Sequence, residues 1–441
     1  MKVVVLGGGE SGTGAALLAT ARGHEVFLSE KGRLAPKFRA ELQRHGIAYE
    51  EGQHSMERLQ QADVVVKSPG IPNDAPVVVR LRQAGKEVIG EIEWAARHAP
   101  TSRIIGITGS NGKTTTTLLT GHLLQMGQWQ VAVGGNVGKS FARNVLLYPD
   151  DVMHVLELSS FQLDDIATFR PQVAAILNIT PDHLDRYDFQ MERYVAAKFR
   201  IAMNQQPHDL LILNADDIHI QTWKEHYQGN AQIILQPMPK GGGEHLHVAG
   251  HTFDMRQSQL RGPHNYFNAA VAIRIALHEG VAPALIQQGL NTFRNAPHRL
   301  EVIMHHGGVT WINDSKATNV DAVRFALTAM PDQHVIWIAG GIDKGNNYEP
   351  LRSLVRQKVK ALICLGIDNA ALLRVFEPVV PYVSEARSMA QAVAQANQLA
   401  QKGDTVLLSP ACASFDLFDN YMDRGDQFKN RVRLLVKEAN H

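Results

Sequence analysis

The segment Ile104-Ile-Gly-Ile-Thr-Gly-Ser-Asn-Gly-Lys-Thr-Thr115 decides the fold of the middle of the chain. An apolar run leads into a glycine turn, and a helix-forming segment follows to about Met126. A strand, a turn with inward N–H groups, a lysine and a hydroxyl together form a cradle for the phosphates and Mg²⁺ of a nucleoside triphosphate. Ile107 stands where the standard spacing has its first glycine. The segment therefore predicts a nucleotide-binding loop between a buried strand and a helix.

Short runs rich in valine, isoleucine and leucine alternate with helix-period segments along the chain. Such runs without polar alternation are typical of buried strands in parallel sheets. The pattern predicts an α/β protein with doubly wound sheets. The runs are Val3 to Leu6, Val64 to Val66, Ile104 to Thr108, Val155 to Leu158, Ala174 to Asn178, Leu210 to Asn214, Val335 to Ala339, Leu362 to Leu365 and Val406 to Ser409.

Two polar stretches, Arg97 to Ser102 and Asn295 to Arg299, indicate domain boundaries. Between about Gln228 and Gln259 the pattern changes to short runs containing Gly and His, which predicts a small β-hairpin region in the middle segment. We expect three domains, covering residues 1–93, 94–295 and 296–441.

Composition excludes several classes of protein. The 441 residues are 44% hydrophobic, which argues against a disordered protein. The 44 Lys+Arg nearly equal the 43 Asp+Glu, so the net charge does not indicate binding to a polyanion such as a nucleic acid. Cys364 and Cys412 are too few for a disulfide framework or a zinc cage. No apolar run reaches the ~18 residues of a membrane span, and a strand begins directly after Met1. We expect a soluble cytoplasmic protein without nucleic-acid or membrane partners.

A second glycine loop lies at the start of the chain. Val3 to Leu6 leads into Gly7-Gly-Gly-Glu-Ser-Gly12, and Glu30 closes the next predicted strand. This Gly-x-Gly-x-x-Gly pattern suits the pyrophosphate of NAD, or equally another ligand of a Rossmann-like domain. The turn Lys67-Ser-Pro-Gly-Ile-Pro72 follows a later strand at the same sheet edge.

Two polar residues follow strands beyond the nucleotide loop. Glu157 ends one strand and is a candidate Mg²⁺ ligand. His183, flanked by Asp182 and Asp185, follows the next strand and could ligate metal or contact phosphate.

Lys198 lies at the centre of an apolar helix face. At 100° per residue, Met191, Tyr194, Val195 and Ile201 share this face with it. Burying a charged amine without a partner is costly. The lysine either extends to the edge of the core or has a lowered pKa for chemistry or modification.

The last third of the chain carries polar clusters after predicted strands. They are His298-Arg-Leu-Glu301, Asp314 to Asn319, Gly340 to Gly345, and Ser409 to Asp416. Carboxyl ends of strands bind ligands in open sheets, and these loops suit a small carboxylated substrate, although capping turns would look the same.

In order, the motifs resemble those of the Mur ligase family over essentially the whole chain. They are Thr108 to Thr115, Gly134-Gly-Asn136, Glu157 to Gln162, Asn178 to His183, Lys198, His264 to Asn268, His298-Arg299 and Asp314 to Asn319. Asn313 to Asn319 and Ser409 to Ser414 are similar to the members that add D-glutamate. Sister ligases and folylpolyglutamate synthase usually carry Asp-Tyr-Ala-His, Asp-Ser-Tyr-Asn or Asp-Gly-Ala-His there.

The resemblance implies a Rossmann-like N-terminal domain for a uridine nucleotide, a central P-loop ATPase-type domain and a Rossmann-like C-terminal domain for the amino acid. It reassigns the first glycine loop from NAD to UDP. The implied reaction joins D-glutamate to UDP-N-acetylmuramoyl-L-alanine through an acyl phosphate, with ADP and phosphate released, in peptidoglycan precursor synthesis by a monomer. The implied cofactor is Mg²⁺ at two sites, or Mn²⁺ in its place, and Lys198 would carry a CO₂-derived carbamate.

The resemblance also implies roles for individual residues. The catalytic set is Lys113, Glu157, His183 and Lys198, and the metal ligands are Thr114, Glu157, His183 and carbamylated Lys198. ATP would contact Gly109, Ser110, Asn111, Gly112, Lys113, Thr114, Thr115, Asn265, Asn268, Arg299 and Asp314. The uridine substrate would contact Ser11, Glu30, Ser68, Gly70, Asn136, Gln162 and His183. D-Glutamate would contact Thr318, Lys344, Ser414 and Tyr421, which stands where many relatives have Phe.

Other classes of function leave some of these motifs unused. An NAD-dependent dehydrogenase does not need the Gly-Lys-Thr loop or Lys198. A nucleotide-switched binding protein does not need the C-terminal clusters. A sister Mur ligase, or a ligase resembling folylpolyglutamate synthase, would use the same chemistry with another amino acid.

Overall fold

The computed structural model describes residues 1–239, 244–343 and 345–438. The chain forms two compact units. The first consists of Met1–Leu260 and Asn265–Phe293, and the second of Arg261–His264 and Arg294–His441. None of the helices in the described ranges combines the length and hydropathy needed to cross a membrane.

The first unit begins with a parallel five-stranded sheet in the order β3-β2-β1-β4-β5. Its central strands are the valine runs, whose side chains are buried on both faces because helices cover the sheet on both sides. The elements are β1 Lys2–Leu6, α1 Glu10–Ala21, β2 Glu25–Glu30, α2 Pro36–Arg44, β3 Ala48–Glu51, α3 Met56–Leu59, β4 Val64–Lys67, α4 Pro76–Gln83, β5 Glu87–Gly90 and α5 Glu91–Arg97.

The same unit continues with a parallel six-stranded sheet in the order β11-β10-β9-β6-β8-β7. The elements that form it are β6 Arg103–Thr108, α6 Lys113–Met126, β7 Val131–Gly135, α7 Phe141–Leu147, β8 Met153–Glu157, α8 Ser160–Leu163, β9 Val173–Ile176, α9 Met191–Phe199, β10 Leu210–Asn214, α10 Ile218–Lys224 and β11 Gln232–Gln236. The hairpin β12 His245–Val248 and β13 His251–Asp254 follows, then α11 Pro263–His278 and α12 Pro283–Thr292.

The expectation of hairpins from 228 to 259 is only partly right. β12 and β13 form a hairpin, but β11 is a parallel edge strand on β10. Ile233 and Leu235 are exposed because one side of this edge strand faces solvent. The strand therefore lacks the continuous apolar run of a buried parallel strand, and its sequence resembles that of a hairpin strand.

The second unit contains a six-stranded sheet in the order β14-β15-β19-β16-β17-β18. Only β14 is antiparallel to its neighbour among the described strands of this sheet. The elements are β14 Glu301–His306, β15 Val309–Asn313, α13 Val320–Thr328, β16 Val335–Ala339, α14 Arg352–Lys358, β17 Val359–Leu365, α15 Ala370–Phe376, β18 Tyr382–Ala386, α16 Met389–Leu399, β19 Thr405–Leu408 and α17 Tyr421–Glu438.

The predicted α/β class is confirmed, and each apolar run quoted above is a strand, with ends that differ from the prediction by a few residues. In the central sheet, β9, β6, β8 and β7 are consecutive neighbours. Parallel neighbours end at one edge, so the loops after Thr108, Gly135, Glu157 and Ile176 meet there.

Candidate functional site

The nucleotide loop between β6 and α6 has the backbone shape that its glycines predict. Gly112 has a φ of +84°, and a Cβ built on it would lie 2.4 Å from Asn268 Oδ1 on α11. Asn178, in the loop after the neighbouring strand β9, fixes the nucleotide loop: its Oδ1 accepts from Asn111 N at 2.8 Å, and its Nδ2 donates to Asn111 O at 2.9 Å. Asn268 also donates to Asn265 Oδ1 at 3.3 Å, so both predicted asparagines of α11 lie beside this loop.

Two lysine amines meet at one backbone oxygen of this loop. Lys113 Nζ donates to Gly109 O at 2.8 Å, and Lys198 Nζ donates to the same oxygen at 2.9 Å. The charge of Lys113, beside the amine of Lys198, would stabilise an anion such as a phosphate bound next to this part of the loop.

Lys198 is buried at the centre of the apolar face of α9, as the sequence pattern predicts. Its amine lies 4.5 Å from the centre of the Tyr194 ring, and no carboxylate in the described residues is within ion-pair distance. Burial lowers the pKa of Lys198 well below its ordinary value, and the charge of Lys113 lowers it further. The amine is therefore biased toward the neutral, nucleophilic form.

Glu157, at the end of β8, binds two of the other predicted residues. Its Oε2 accepts from Thr114 Oγ1 at 2.6 Å, and its Oε1 accepts from Asn136 Nδ2 at 2.8 Å. Gly135 allows the chain before Asn136 to pass close to Glu157, because its φ is +94° and a Cβ at this position would lie 2.4 Å from Glu157 O. The structure therefore places a carboxylate and a hydroxyl together at the start of α6, which is a suitable pair for Mg²⁺.

His183 lies in the loop after β9 but does not contact Glu157 or Lys198. Its backbone has a φ of +53°, its side chain is about half exposed, and its ring packs edge-on against Phe161. Gln162 is buried in a capping box in which its Oε1 accepts from Ser159 N at 2.9 Å. The structure thus assigns Gln162 a local role at the start of α8.

The first glycine loop uses Glu30 to satisfy its own backbone. Glu30 Oε2 accepts from Gly8 N at 2.7 Å, and Oε1 accepts from Gly32 N at 2.7 Å. Gly8 N–H therefore already has a partner and does not offer a donor to a pyrophosphate. Ser68 Oγ donates to Gly7 O at 3.2 Å, which holds the 68–71 turn against the loop.

A cavity of about 420 Å³ opens at this edge of the N-terminal sheet. Glu30 and Gly70 line it, whereas Ser11 and Ser68 are not among its lining residues. Of the four residues predicted in this domain for the uridine substrate, the structure therefore brings two to one cavity.

The second unit holds the remaining predicted residues. Asp314 is buried, and its carboxylate accepts from Ser409 Oγ at 2.9 Å and from Leu300 N at 3.1 Å. Burial raises the pKa of Asp314 to about 7. Arg299 is half-buried immediately before Leu300.

The predicted amino-acid contacts differ in their exposure. Thr318 is exposed, Ser414 is buried, and the Tyr421 ring lies 3.8 Å from Lys316 Nζ. Lys344 lies outside the described residues.

Sequence reasoning missed Arg424, which organises the loops of the second unit. It is 1% exposed, and its guanidinium donates to Ser315 O, Cys412 O and Gly340 O. These oxygens follow three different strands, so one side chain fixes three carboxyl-end loops. The sequence did carry a sign of its burial: Arg424 lies four and eight residues before Phe428 and Val432, on the same face of the helix, and both of these residues are buried.

Comparison with known proteins identifies the family. The "Mur ligase MurD-like, N-terminal domain" matches residues 1–90, the "Mur ligase middle domain" residues 107–276, and the "Mur ligase, glutamate ligase domain" residues 298–412. The UDP-N-acetylmuramoylalanine–D-glutamate ligase of Cytophaga hutchinsonii is 47% identical over 98% of each chain. The ligase of that name from Bacteroides fragilis is 45% identical over 98% of this chain and 100% of its own, and that from Salinibacter ruber 41% identical over 99% and 98%.

Solved structures share the fold at lower identity. The UDP-N-acetylmuramate–alanine ligase of Thermotoga maritima has a TM-score of 0.62 at 19% identity, covering 98% of this chain and 99% of its own. The MurF ligase of the same organism, in complex with ADP, has a TM-score of 0.63 at 14% identity, covering 92% and 95%. The chain therefore belongs to the Mur ligase family, in which it groups with the D-glutamate ligases.

Proposed function

We propose that the chain catalyses the ATP-dependent ligation of D-glutamate to UDP-N-acetylmuramoyl-L-alanine, a step of peptidoglycan precursor synthesis. The observation that carries the proposal is the meeting of Lys113 and Lys198 at Gly109 O beside the Thr114–Glu157 pair. Full-length identity of 41–47% to curated D-glutamate ligases supports the choice of amino acid. The enzyme would act in the cytoplasm, where ATP and nucleotide-activated sugars are made, and as a monomer.

Each domain has a proposed substrate. Residues 1–93 would bind the uridine nucleotide through Ser11, Glu30, Ser68 and Gly70, residues 94–295 would bind ATP, and residues 296–441 would bind D-glutamate. In the central domain the ATP contacts would be Gly109 to Thr115 with Asn265 and Asn268, whereas Asn136, Gln162 and His183 would contact the muramoyl part. In the last domain Arg299 and Asp314 would contact ATP, and Thr318, Lys344, Ser414 and Tyr421 would contact D-glutamate.

The reaction would proceed in two steps. An oxygen of the L-alanyl carboxylate attacks the γ-phosphorus of ATP, the bond to the β-phosphate oxygen breaks, and ADP leaves. The neutral amine of D-glutamate then attacks the acyl carbon and loses a proton to solvent, the acyl C–O bond breaks, and phosphate leaves with the former carboxylate oxygen. Lys113 and the loop N–H groups would stabilise the charge on the transferring phosphoryl group.

The side chains present fit Mg²⁺ bound together with ATP. Mg²⁺ usually takes one or two protein carboxylates and completes its shell with phosphate oxygens and water. Glu157 supplies one carboxylate and Thr114 a hydroxyl beside it, and the described residues contain no cluster of three acidic, His or Cys side chains that would form an all-protein cage. When bound, Mg²⁺ would neutralise charge on the phosphate oxygens.

A second metal site would use His183 and a carbamate on Lys198. A neutral lysine amine adds to CO₂ with loss of a proton, which converts the side chain into an anion. Lys198 is buried, its pKa is lowered by burial although Asp182 and Asp164 act in the opposite direction, and none of its contacts with the described residues is an ion pair; these features support the modification.

Oxygen labelling tests the two-step reaction directly. UDP-N-acetylmuramoyl-L-alanine with ¹⁸O in its L-alanyl carboxylate is incubated with Mg-ATP and D-glutamate, and the released phosphate is analysed by mass spectrometry. The proposal predicts one ¹⁸O atom in each phosphate. Phosphate without the label would show that water, rather than the carboxylate, attacks ATP, and would overturn the proposed ligase.

A further inference from the structure

A histidine lines the cavity of the N-terminal sheet and is not used by the reaction described above. His54 borders this cavity together with Lys31, Met56, Ile71 and Arg80. Behind His54 lie Ser29, at the end of β2, and Glu50, on β3, and both belong to the same sheet. These three side chains form a hydrogen-bonded chain that runs from the sheet to the cavity.

The chain begins at Glu50, which acts only as an acceptor. Its Oε1 accepts from Ser29 Oγ at 2.6 Å and from Ser55 N at 2.8 Å, and its Oε2 accepts from Ser55 Oγ. Burial raises the pKa of Glu50, but these hydrogen bonds outweigh that effect and hold the pKa below its ordinary value. Glu50 is therefore ionised at neutral pH and has no proton to give.

Ser29 Oγ has three polar neighbours but only one proton to donate. Two of the neighbours, Glu50 Oε1 at 2.6 Å and Gln53 O at 3.5 Å, are oxygens that can only accept, so the hydroxyl proton is used there. The remaining neighbour is His54 Nδ1, 2.7 Å from Ser29 Oγ. Since Ser29 has no second proton, Nδ1 must carry the proton of this bond.

This assignment fixes the tautomer of His54. With the proton on Nδ1, the neutral ring has a lone pair on Nε2. Burial lowers the pKa of His54, and Lys31 lowers it too, while Glu50 and Glu30 act in the opposite direction. Nε2 has no hydrogen-bond partner among the described residues, so it remains available to a ligand in the cavity.

We propose that His54 is a specificity-determining residue that accepts the imide N3–H of the uracil base through Nε2. Uracil has a donor at N3, whereas cytosine has an acceptor there, which would face the lone pair of His54. Met56, Ile71 and Val77 give the cavity an apolar wall for a planar ring, and Lys31 and Arg80 bring cations for phosphate or ribose oxygens. The inference rests on the proposed use of a UDP-linked substrate.

The test compares three nucleotides that differ at N3. UDP, CDP and 3-methyl-UDP compete with UDP-N-acetylmuramoyl-L-alanine in the ligase assay, and their inhibition constants are measured. We expect UDP to bind about 10- to 100-fold more tightly than either analogue, because one hydrogen bond is lost and a polar atom is left unpaired.

Two variants and one control separate the role of the ring nitrogen from that of the fold. His54→Phe keeps a planar ring without an acceptor, so we expect UDP to bind about 10- to 100-fold more weakly, CDP to bind at least as tightly as to wild type, and the preference to disappear. Ser29→Ala keeps the imidazole but frees its tautomer, so the preference falls several-fold. His45→Phe, at an exposed position of the same domain, leaves the preference unchanged.

The outcomes distinguish this inference from the proposed function. If the wild-type protein makes the ligation product but His54→Phe, folded by circular dichroism, keeps the UDP-to-CDP ratio, the inference is wrong and the function stands. The inference is equally wrong if wild-type protein binds 3-methyl-UDP as tightly as UDP. If wild-type protein neither ligates nor binds UDP, the proposed function fails and the inference falls with it.

Discussion

The buried ion pair between Lys67 and Asp165 ties the 68–71 turn to the central sheet region of the first unit. Lys67 Nζ lies 2.7 Å from Asp165 Oδ2, and both side chains are 1% exposed. Lys67 also donates to Ile71 O at 2.7 Å, and Arg82 approaches the other oxygen of Asp165 at 3.3 Å. The pair therefore fixes the turn that borders the cavity of the N-terminal sheet.

Removing one partner should be far more costly than removing both. Breaking a buried ion pair typically costs about 3–5 kcal/mol, because the remaining charge stays desolvated. In Asp165→Asn the ammonium of Lys67 loses its charged partner and keeps two neutral acceptors, Ile71 O and the new amide oxygen, so we expect a loss of about 3 kcal/mol. In the double variant Lys67→Met/Asp165→Leu both desolvation penalties disappear, and we expect stability within about 1 kcal/mol of wild type.

The pH dependence follows from Lys67. Burial lowers the pKa of Lys67, although Asp165 acts in the opposite direction. In the unfolded chain the amine keeps its proton up to a pH of about 10.4. At pH values between the folded-state pKa of Lys67 and its unfolded-state pKa, the unfolded chain binds more protons than the folded chain. In this range the free energy of unfolding of wild type therefore rises with pH relative to that of Lys67→Met.

Urea unfolding at pH 7.5, followed by circular dichroism, measures these differences. Glu25→Gln, which removes an exposed pair with Lys2, serves as the control and should leave the midpoint unchanged. The Michaelis constant for the uridine substrate should rise in Asp165→Asn more than kcat falls. A single variant as stable as wild type, or a double variant as unstable as the single, would refute the reasoning.

Two further substitutions test the central site. Lys198→Ala should abolish ligation, short carboxylic acids should restore part of it, and bicarbonate should not; full activity in this variant would rule out the carbamate. Gly135→Ala should lower both activity and melting temperature, because its Cβ would lie 2.4 Å from Glu157 O. Gly138→Ala is the matched control, since its φ is also positive but its Cβ meets open space, and equal losses in the two variants would contradict the assigned role of the Gly135 turn.

The positions of the main site loops follow from sequence because parallel strands share an edge. The strand before Gly109 and the strand ending at Glu157 could be recognised as buried runs, and their pairing places both ends together. The burial of Lys198 follows in the same way from helical periodicity.

Other contacts depend on tertiary packing that no local pattern specifies. The shared acceptor of Lys113 and Lys198 is one example, because α6 and α9 approach Gly109 from different parts of the chain. β11 was misread because the solvent-facing side of an edge strand changes its hydrophobic pattern. The capping box of Gln162 did carry a local signal, a serine three residues before a glutamine.

The central claim is that this site couples ATP to amide formation with D-glutamate. Phosphate release is measured with Mg-ATP and UDP-N-acetylmuramoyl-L-alanine, with D-glutamate, L-glutamate, L-lysine, meso-diaminopimelate or buffer added in parallel. The account predicts release with D-glutamate alone. Release with another amino acid would contradict the proposed specificity of Thr318, Ser414 and Tyr421, and release in buffer alone would indicate a nucleotide-switched protein instead of a ligase.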